Sequence, residues 1–89
     1  MKYNRGMAVG TYDLFHIGHL NSLKKAYELC NSLIVGVDSD ERVFQYKHKY
    51  PIIPEDQRIA IVSAIKYVDL VIKMNRVMDL IDGVNRELM

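Results

Sequence analysis

The sequence predicts an α/β fold, a parallel sheet with helices on both faces, and three observations carry that expectation. A short apolar run, Met7-Ala8-Val9, ends in Gly10-Thr11 and is followed by an amphipathic stretch. A second run, Leu33 to Val37, is continuously apolar, as in parallel strands covered on both faces. Strand-like and helix-like segments then alternate along the chain.

Taken in order, residues 5–9 read as a buried strand that turns at Gly10. From Gly18, the residues Leu20, Leu23, Tyr27 and Cys30 recur at spacings of three and four and predict a helix, with Lys24, Lys25 and Glu28 on its wet face and Asn31-Ser32 closing it. Leu33 to Val37 is the second strand, and Asp38-Ser39-Asp40 turns the chain. Residues 41–54 read as a loop: Arg42 to Tyr46 offers a helical turn, but Lys47-His48-Lys49 and the prolines at 51 and 54 interrupt it. Glu55 and Asp56 follow Pro54 as acids do in a first helical turn, and Ile61, Val62 and Ile65 give that helix a core face. Asp69 to Ile72 is the third strand. Asn75 is a helix-capping residue ahead of Val77, Leu80, Ile81, Val84 and Leu88, a stripe weakened by Gly83. The order strand, helix, strand, helix, strand, helix implies one right-handed parallel unit, residues 1–89, with no repeat or linker. Ligands of such a sheet bind at the carboxyl ends of its strands, here at Gly10, Asp38 and Ile72.

Composition narrows the function classes. Twelve basic residues face eleven acidic ones, a balance that disfavours a large nucleic-acid footprint and leaves a small anionic ligand open. A lone Cys30 has no internal disulfide partner, and no residues have zinc-ligand spacing, so the sequence points to a reducing, cytoplasmic setting without a protein-held metal. No stretch approaches the roughly 18 apolar residues of a membrane span.

The chemistry concentrates in Gly10-Thr11-Tyr12-Asp13-Leu14-Phe15-His16-Ile17-Gly18-His19, at the switch from first strand to first helix. Backbone N–H groups and the positive helix end there favour an anion. His16 and His19, three apart, face the same way, and Gly18 between them leaves room for close approach. Two such imidazoles can donate to phosphate oxygens as charge builds in a five-coordinate transition state.

The string GTYDLFHIGHL (10–20) resembles the signature of the nucleotidyltransferase superfamily with the HxGH motif, and more narrowly that of the cytidylyltransferases. The similarity continues through residues 33–41, 46–58 and 65–72, covering most of 7–72. It implies a Rossmann-like domain that transfers CMP from CTP to an alcohol phosphate, with glycerol 3-phosphate the first candidate, giving a CDP-alcohol and pyrophosphate. Two other readings stay open: adenylyl transfer from ATP of the FAD synthase or heptose-phosphate type, and a non-catalytic half-domain that binds a nucleotide or a partner chain. The resemblance implies His16, His19 and Lys47 as catalytic. It implies Gly10, Thr11, Tyr12, Asp13, Gly18 and Asp38 as nucleotide-binding, and Lys49 and Arg58 as contacts to substrate phosphate. Arg58 equally suits a structural or interface role, Asp38 a turn-forming role, and Asp69 reads as scaffold. Mg²⁺ is expected to accompany the nucleotide. The family's fold carries two further strands, absent from these 89 residues. The first strand should therefore be an exposed edge, in a piece of a longer protein or in a chain completed by a homodimer.

Overall fold

The computed structural model describes residues 2–76 together with Asp79 and Asp82. Three parallel strands, β1 (Tyr3–Gly10), β2 (Cys30–Asp38) and β3 (Leu70–Met74), form one sheet in the order β1-β2-β3. Helix α1 (Ile17–Glu28) joins β1 to β2, and α2 (Asp40–Lys47) and α3 (Glu55–Ser63) lie between β2 and β3. No helix among the described residues is long and apolar enough to cross a membrane.

The central position of β2 explains its unbroken apolar run. Leu33, Val35 and Val37 point to one face, where Leu23 of α1 and Val62 of α3 meet them, and all five are fully buried. Ile34 points to the other face and packs with Met74, Leu70 and Ile72 of β3. Each fully buried side chain of this size contributes about 1.5–3 kcal/mol. Among the described residues strand β1 pairs only with β2, from Tyr3↔Cys30 to Gly10↔Val37, so its far side is an edge there. Met7 and Val9 on that strand remain about half exposed. Gly6 is required by the packing of the sheet's lower end, since a Cβ there would sit 2.8 Å from Cys30 Sγ.

The structure departs from the sequence reading in four places. Cys30 opens β2 instead of ending α1, because Tyr3 pairs with it and Leu29 caps the helix; its buried Sγ still donates to Ala26 O at 3.3 Å. Strand β3 runs to Met74, which pairs with Asp38 and packs on Ile34. Residues 40–47 form a helix, not a loop: Ser39 Oγ accepts from Arg42 N, Asp40 and Glu41 suit the first turn, and His48 closes the end in a left-handed conformation (φ 60°). Ile61 is 38% exposed and lies at the margin, and the inward face of α3 is Arg58 and Val62, flanked by Ile59. Asp69 is scaffold as expected, exchanging bonds with Leu33 through both its N–H and its carboxylate. The helix expected after Asn75 lies mostly outside the described residues; Asp79 Oδ2 accepts from Asn75 N and Arg76 N.

Arg58 is the most buried polar group, at 0% exposure. Its Nε donates to Ile53 O at 2.8 Å, Nη1 to Thr11 O and Asp38 O, and Nη2 to the Asp40 carboxylate, the last three at 2.7 Å. One side chain thus ties the exits of β1 and β2, the start of α2 and the loop before α3. Replacing it by methionine keeps the volume and orphans three carbonyls, so Arg58→Met should lower unfolding free energy by about 3 kcal/mol or more in urea titration. A loss under about 1 kcal/mol would refute this role.

Candidate active site

A cleft of about 620 Å³ opens at the carboxyl ends of the strands, between the β1–α1 turn and the α2–α3 loop. Its first wall is the motif segment. Gly10 ends β1 under the ring of Tyr12, where a Cβ would come within 3.0 Å of Tyr12 Cε2. The chain then passes through left-handed conformations at Tyr12 (φ 55°) and Leu14 (φ 49°), strain that the surrounding contacts must hold. Burial and the nearby negative charge of Asp38 both raise the Tyr12 pKa, so the phenol stays protonated at neutral pH.

The two histidines cap α1 reciprocally. His16 is the N-cap, and its Nδ1 accepts from Gly18 N at 3.0 Å, while His19 Nδ1 accepts from His16 N at 3.0 Å. Serine and glutamate usually share this task at a helix start. With both Nδ1 atoms accepting, each neutral imidazole carries its proton on Nε2. The rings lie 4.0 Å apart between centroids, and His19 also meets Phe15 and Tyr12 at 5.2 and 5.7 Å. Desolvation, then the neighbouring His16, lowers the His19 pKa from the ordinary value of 6.5. Gly18 is obligatory for a reason internal to the pair: a Cβ there would stand 2.7 Å from His16 Cε1.

The opposite wall carries Lys47 and Lys49 with Tyr50, Pro51 and Ile52. Lys47 is the last residue of a helix, not part of an irregular loop. Asp13 spans the two walls, its carboxylate accepting from Ile52 N and Ile53 N, both at 2.8 Å. Burial pushes its pKa up, but bonds from the N–H groups of Ile52, Ile53 and Leu14, with the field of Arg58, hold the net value below the usual range.

The cleft thus gathers Gly10, Thr11, Tyr12, Asp13, His16, Gly18, His19, Lys47 and Lys49. Two expected site residues stand elsewhere. Arg58 is sealed beneath the cleft with every nitrogen engaged, a brace and not a phosphate contact. Asp38 is 5% exposed and turned inward, held by Arg42 Nε at 3.0 Å and Tyr46 OH at 2.8 Å, which leaves it no open edge toward a ligand. Sequence reasoning missed Ser22, one helical turn beyond His19, and the Tyr50–Ile52 wall. The first was readable from i, i+3 spacing; the second has no periodicity to reveal it. Among the described residues, no group of three or more His, Cys, Asp or Glu side chains comes together to hold a metal.

The parallel strands thus carry, at their exits, a helix capped by the two histidines of the HxGH-type motif with lysines facing it. The chain belongs to the cytidylyltransferase-like family, whose family model matches residues 7–78. It is 46% identical over 69 residues to an FAD synthase of Methanothrix thermoacetophila, covering 76% of this chain and 46% of that protein. It is 44% identical over 68 residues to the glycerol-3-phosphate cytidylyltransferase of Staphylococcus aureus, covering 76% and 51% respectively. The chain spans about half the length of these relatives. Among solved structures, a lipopolysaccharide core biosynthesis protein from Thermoplasma volcanium superposes with a TM-score of 0.81 at 34% identity, covering 91% of this chain and 67% of that one.

Two predictions follow from the cap. Gly18→Ala should displace the His16 ring, seen as loss of its Nδ1 acceptor shift in ¹⁵N spectra, while the sheet's amide shifts hold; an unmoved His16 signal would contradict the packing. Because the folded His19 pKa lies below the unfolded one, its contribution to stability is complete above pH 6.5. As pH falls below that value the unfolded chain takes the proton first, and stability declines until the folded imidazole is also protonated. His19→Asn, which keeps an acceptor in the same place, should flatten this decline in urea midpoints measured from pH 8 to 5.

Proposed function

We propose that the cleft binds a nucleoside triphosphate with its α-phosphate at the start of α1, and that the protein catalyses nucleotidyl transfer to a phosphorylated alcohol. The reciprocal imidazole cap is the observation that carries this reading. It commits both Nδ1 atoms to backbone N–H groups and leaves two Nε2–H donors beside a positive helix end.

In this reaction a phosphate oxygen of the acceptor attacks the α-phosphorus in line. A new P–O bond forms as the bond to the bridging oxygen of the β-phosphate breaks, and pyrophosphate leaves with that electron pair. Charge grows on the α-phosphate oxygens in the transition state, where preoriented Nε2–H donors gain most. Neutral imidazoles suffice, because they hydrogen-bond and do not attack. Lys47 and Lys49, on the opposing wall, offset the charge of the two phosphate groups brought together. Mg²⁺ would accompany the triphosphate in this reading and offset its charge.

CTP with glycerol 3-phosphate is the first reading, supported by the family and by the Staphylococcus aureus relative. Adenylyl transfer from ATP is the second, supported by the similarity to archaeal FAD synthases. A homodimer fits the exposed β1 edge.

The test is pyrophosphate release from CTP and from ATP, each with Mg²⁺ and with glycerol 3-phosphate or flavin mononucleotide as acceptor. His16→Ala should reduce the productive combination about 100-fold or more. A rate that survives the substitution would remove the histidines from the chemistry.

A further inference from the structure

Helix α2 brings Lys47 to the cleft wall, but a four-carbon stem at a helix end has many rotamers, and backbone placement alone does not aim its ammonium. Among the described residues that ammonium pairs with no carboxylate. What it meets is an aromatic ring: Lys47 Nζ stands 5.9 Å from the centroid of Tyr46, the residue before it. The ring is itself tethered. Its hydroxyl donates to Asp38 Oδ2 at 2.8 Å, and Asp38, buried at the exit of β2, is held on its other oxygen by Arg42 Nε at 3.0 Å. The Arg42 guanidinium also approaches the Tyr46 ring, with Cζ 6.0 Å from the centroid. Tyr46 therefore joins the sheet at its hydroxyl and offers a half-exposed ring to two cations, of which Lys47 lines the cleft.

We infer that Tyr46 is a positioning residue for Lys47, a tethered aromatic seat that holds the ammonium in the cleft before any phosphate arrives. The choice of a ring over a carboxylate has a chemical reason. An aspartate or glutamate in its place would neutralise the lysine and compete with phosphate for its N–H groups. The face of a phenol attracts the cation more weakly, leaves its charge in force and reduces the rotamer freedom still to be lost when phosphate binds. Asp38, turned away from the ligand, thereby acts on the cleft through Tyr46 and then Lys47. This inference rests on the transfer reaction proposed above and adds a residue to its machinery.

The test has two readouts. Reductive methylation of the lysines with ¹³C-formaldehyde keeps their charge and gives each a methyl signal, that of Lys47 being identified by its absence from Lys47→Ala. The ring should shift this signal upfield in the unmodified sequence. The shift should shrink but persist in Tyr46→Phe, which keeps the ring without its tether, and vanish in Tyr46→Leu. Turnover is then compared in a double-mutant cycle with the productive nucleotide and acceptor. Tyr46→Leu should lower kcat about fourfold, leave the nucleotide KM within about twofold, and have no further effect in a Lys47→Ala background. A tyrosine that only supports the fold would slow both backgrounds alike. That result, or an unshifted Lys47 signal, would overturn the seat and leave the transfer reaction standing. Full turnover in Lys47→Ala would remove the lysine from the reaction and the seat with it. An unmodified chain without turnover would overturn the reaction itself together with both.

Discussion

Everything around the cleft depends on one buried cation. Placing a guanidinium beyond the reach of water costs several kcal/mol, and the cost is tolerable only where each of its nitrogens finds an acceptor. Arg58 meets that condition with three carbonyls and one carboxylate drawn from four separate segments. The three carbonyls, of Thr11, Asp38 and Ile53, lie at strand exits or in a loop, where backbone groups have no ladder or helix to satisfy them. The arginine therefore serves as secondary structure for residues that have none. Asp38 extends the brace, its carboxylate holding Arg42 and Tyr46 so that α2 presents Lys47 along the cleft.

The histidines answer a different constraint. A helix start must satisfy its free N–H groups, and an anion site wants donors aimed outward at the same spot. An imidazole does both, accepting through one nitrogen while donating through the other on the far side of a rigid ring, which a carboxylate cap cannot do. The packing of His16 over Gly18 shows how little freedom this leaves. The bond that orients His19 also makes it acid-sensitive, since protonation of its Nδ1 converts an acceptor into a donor facing His16 N–H.

Much of the fold was legible because it is written in periodicity. Leu33 to Val37 could only be a strand buried on both sides, and Leu20, Leu23 and Tyr27 mark one helical stripe. The motif wall was legible too, since Gly10 to His19 lies in one contiguous segment. What stayed hidden is what depends on distant partners. The prolines after Tyr50 outweighed the Ser39 cap, so α2 read as loop. For Arg58 and Asp38 the sequence left ligand contact and scaffold equally open, and only the carbonyls converging on Arg58 and the Arg42 and Tyr46 bonds to Asp38 decide for scaffold. The aromatic wall arises from a stack between Phe44 and Tyr50 that no spacing rule encodes.

The bonds that join the two walls span 39, 40 and 47 residues of sequence, from Asp13 to Ile52 and Ile53 and from Thr11 to Arg58. Such contacts repay their loop-closure entropy only once the intervening elements are in place. Helix α1 and the β1–β2 pair form on shorter closures than these. The loop wall is held by a few hydrogen bonds, that at Ile52 exposed, while an apolar core holds the sheet. Amide exchange at Ile52 and Ile53 should therefore run ahead of exchange in β2, and a ligand bridging the walls slows the former far more than the latter.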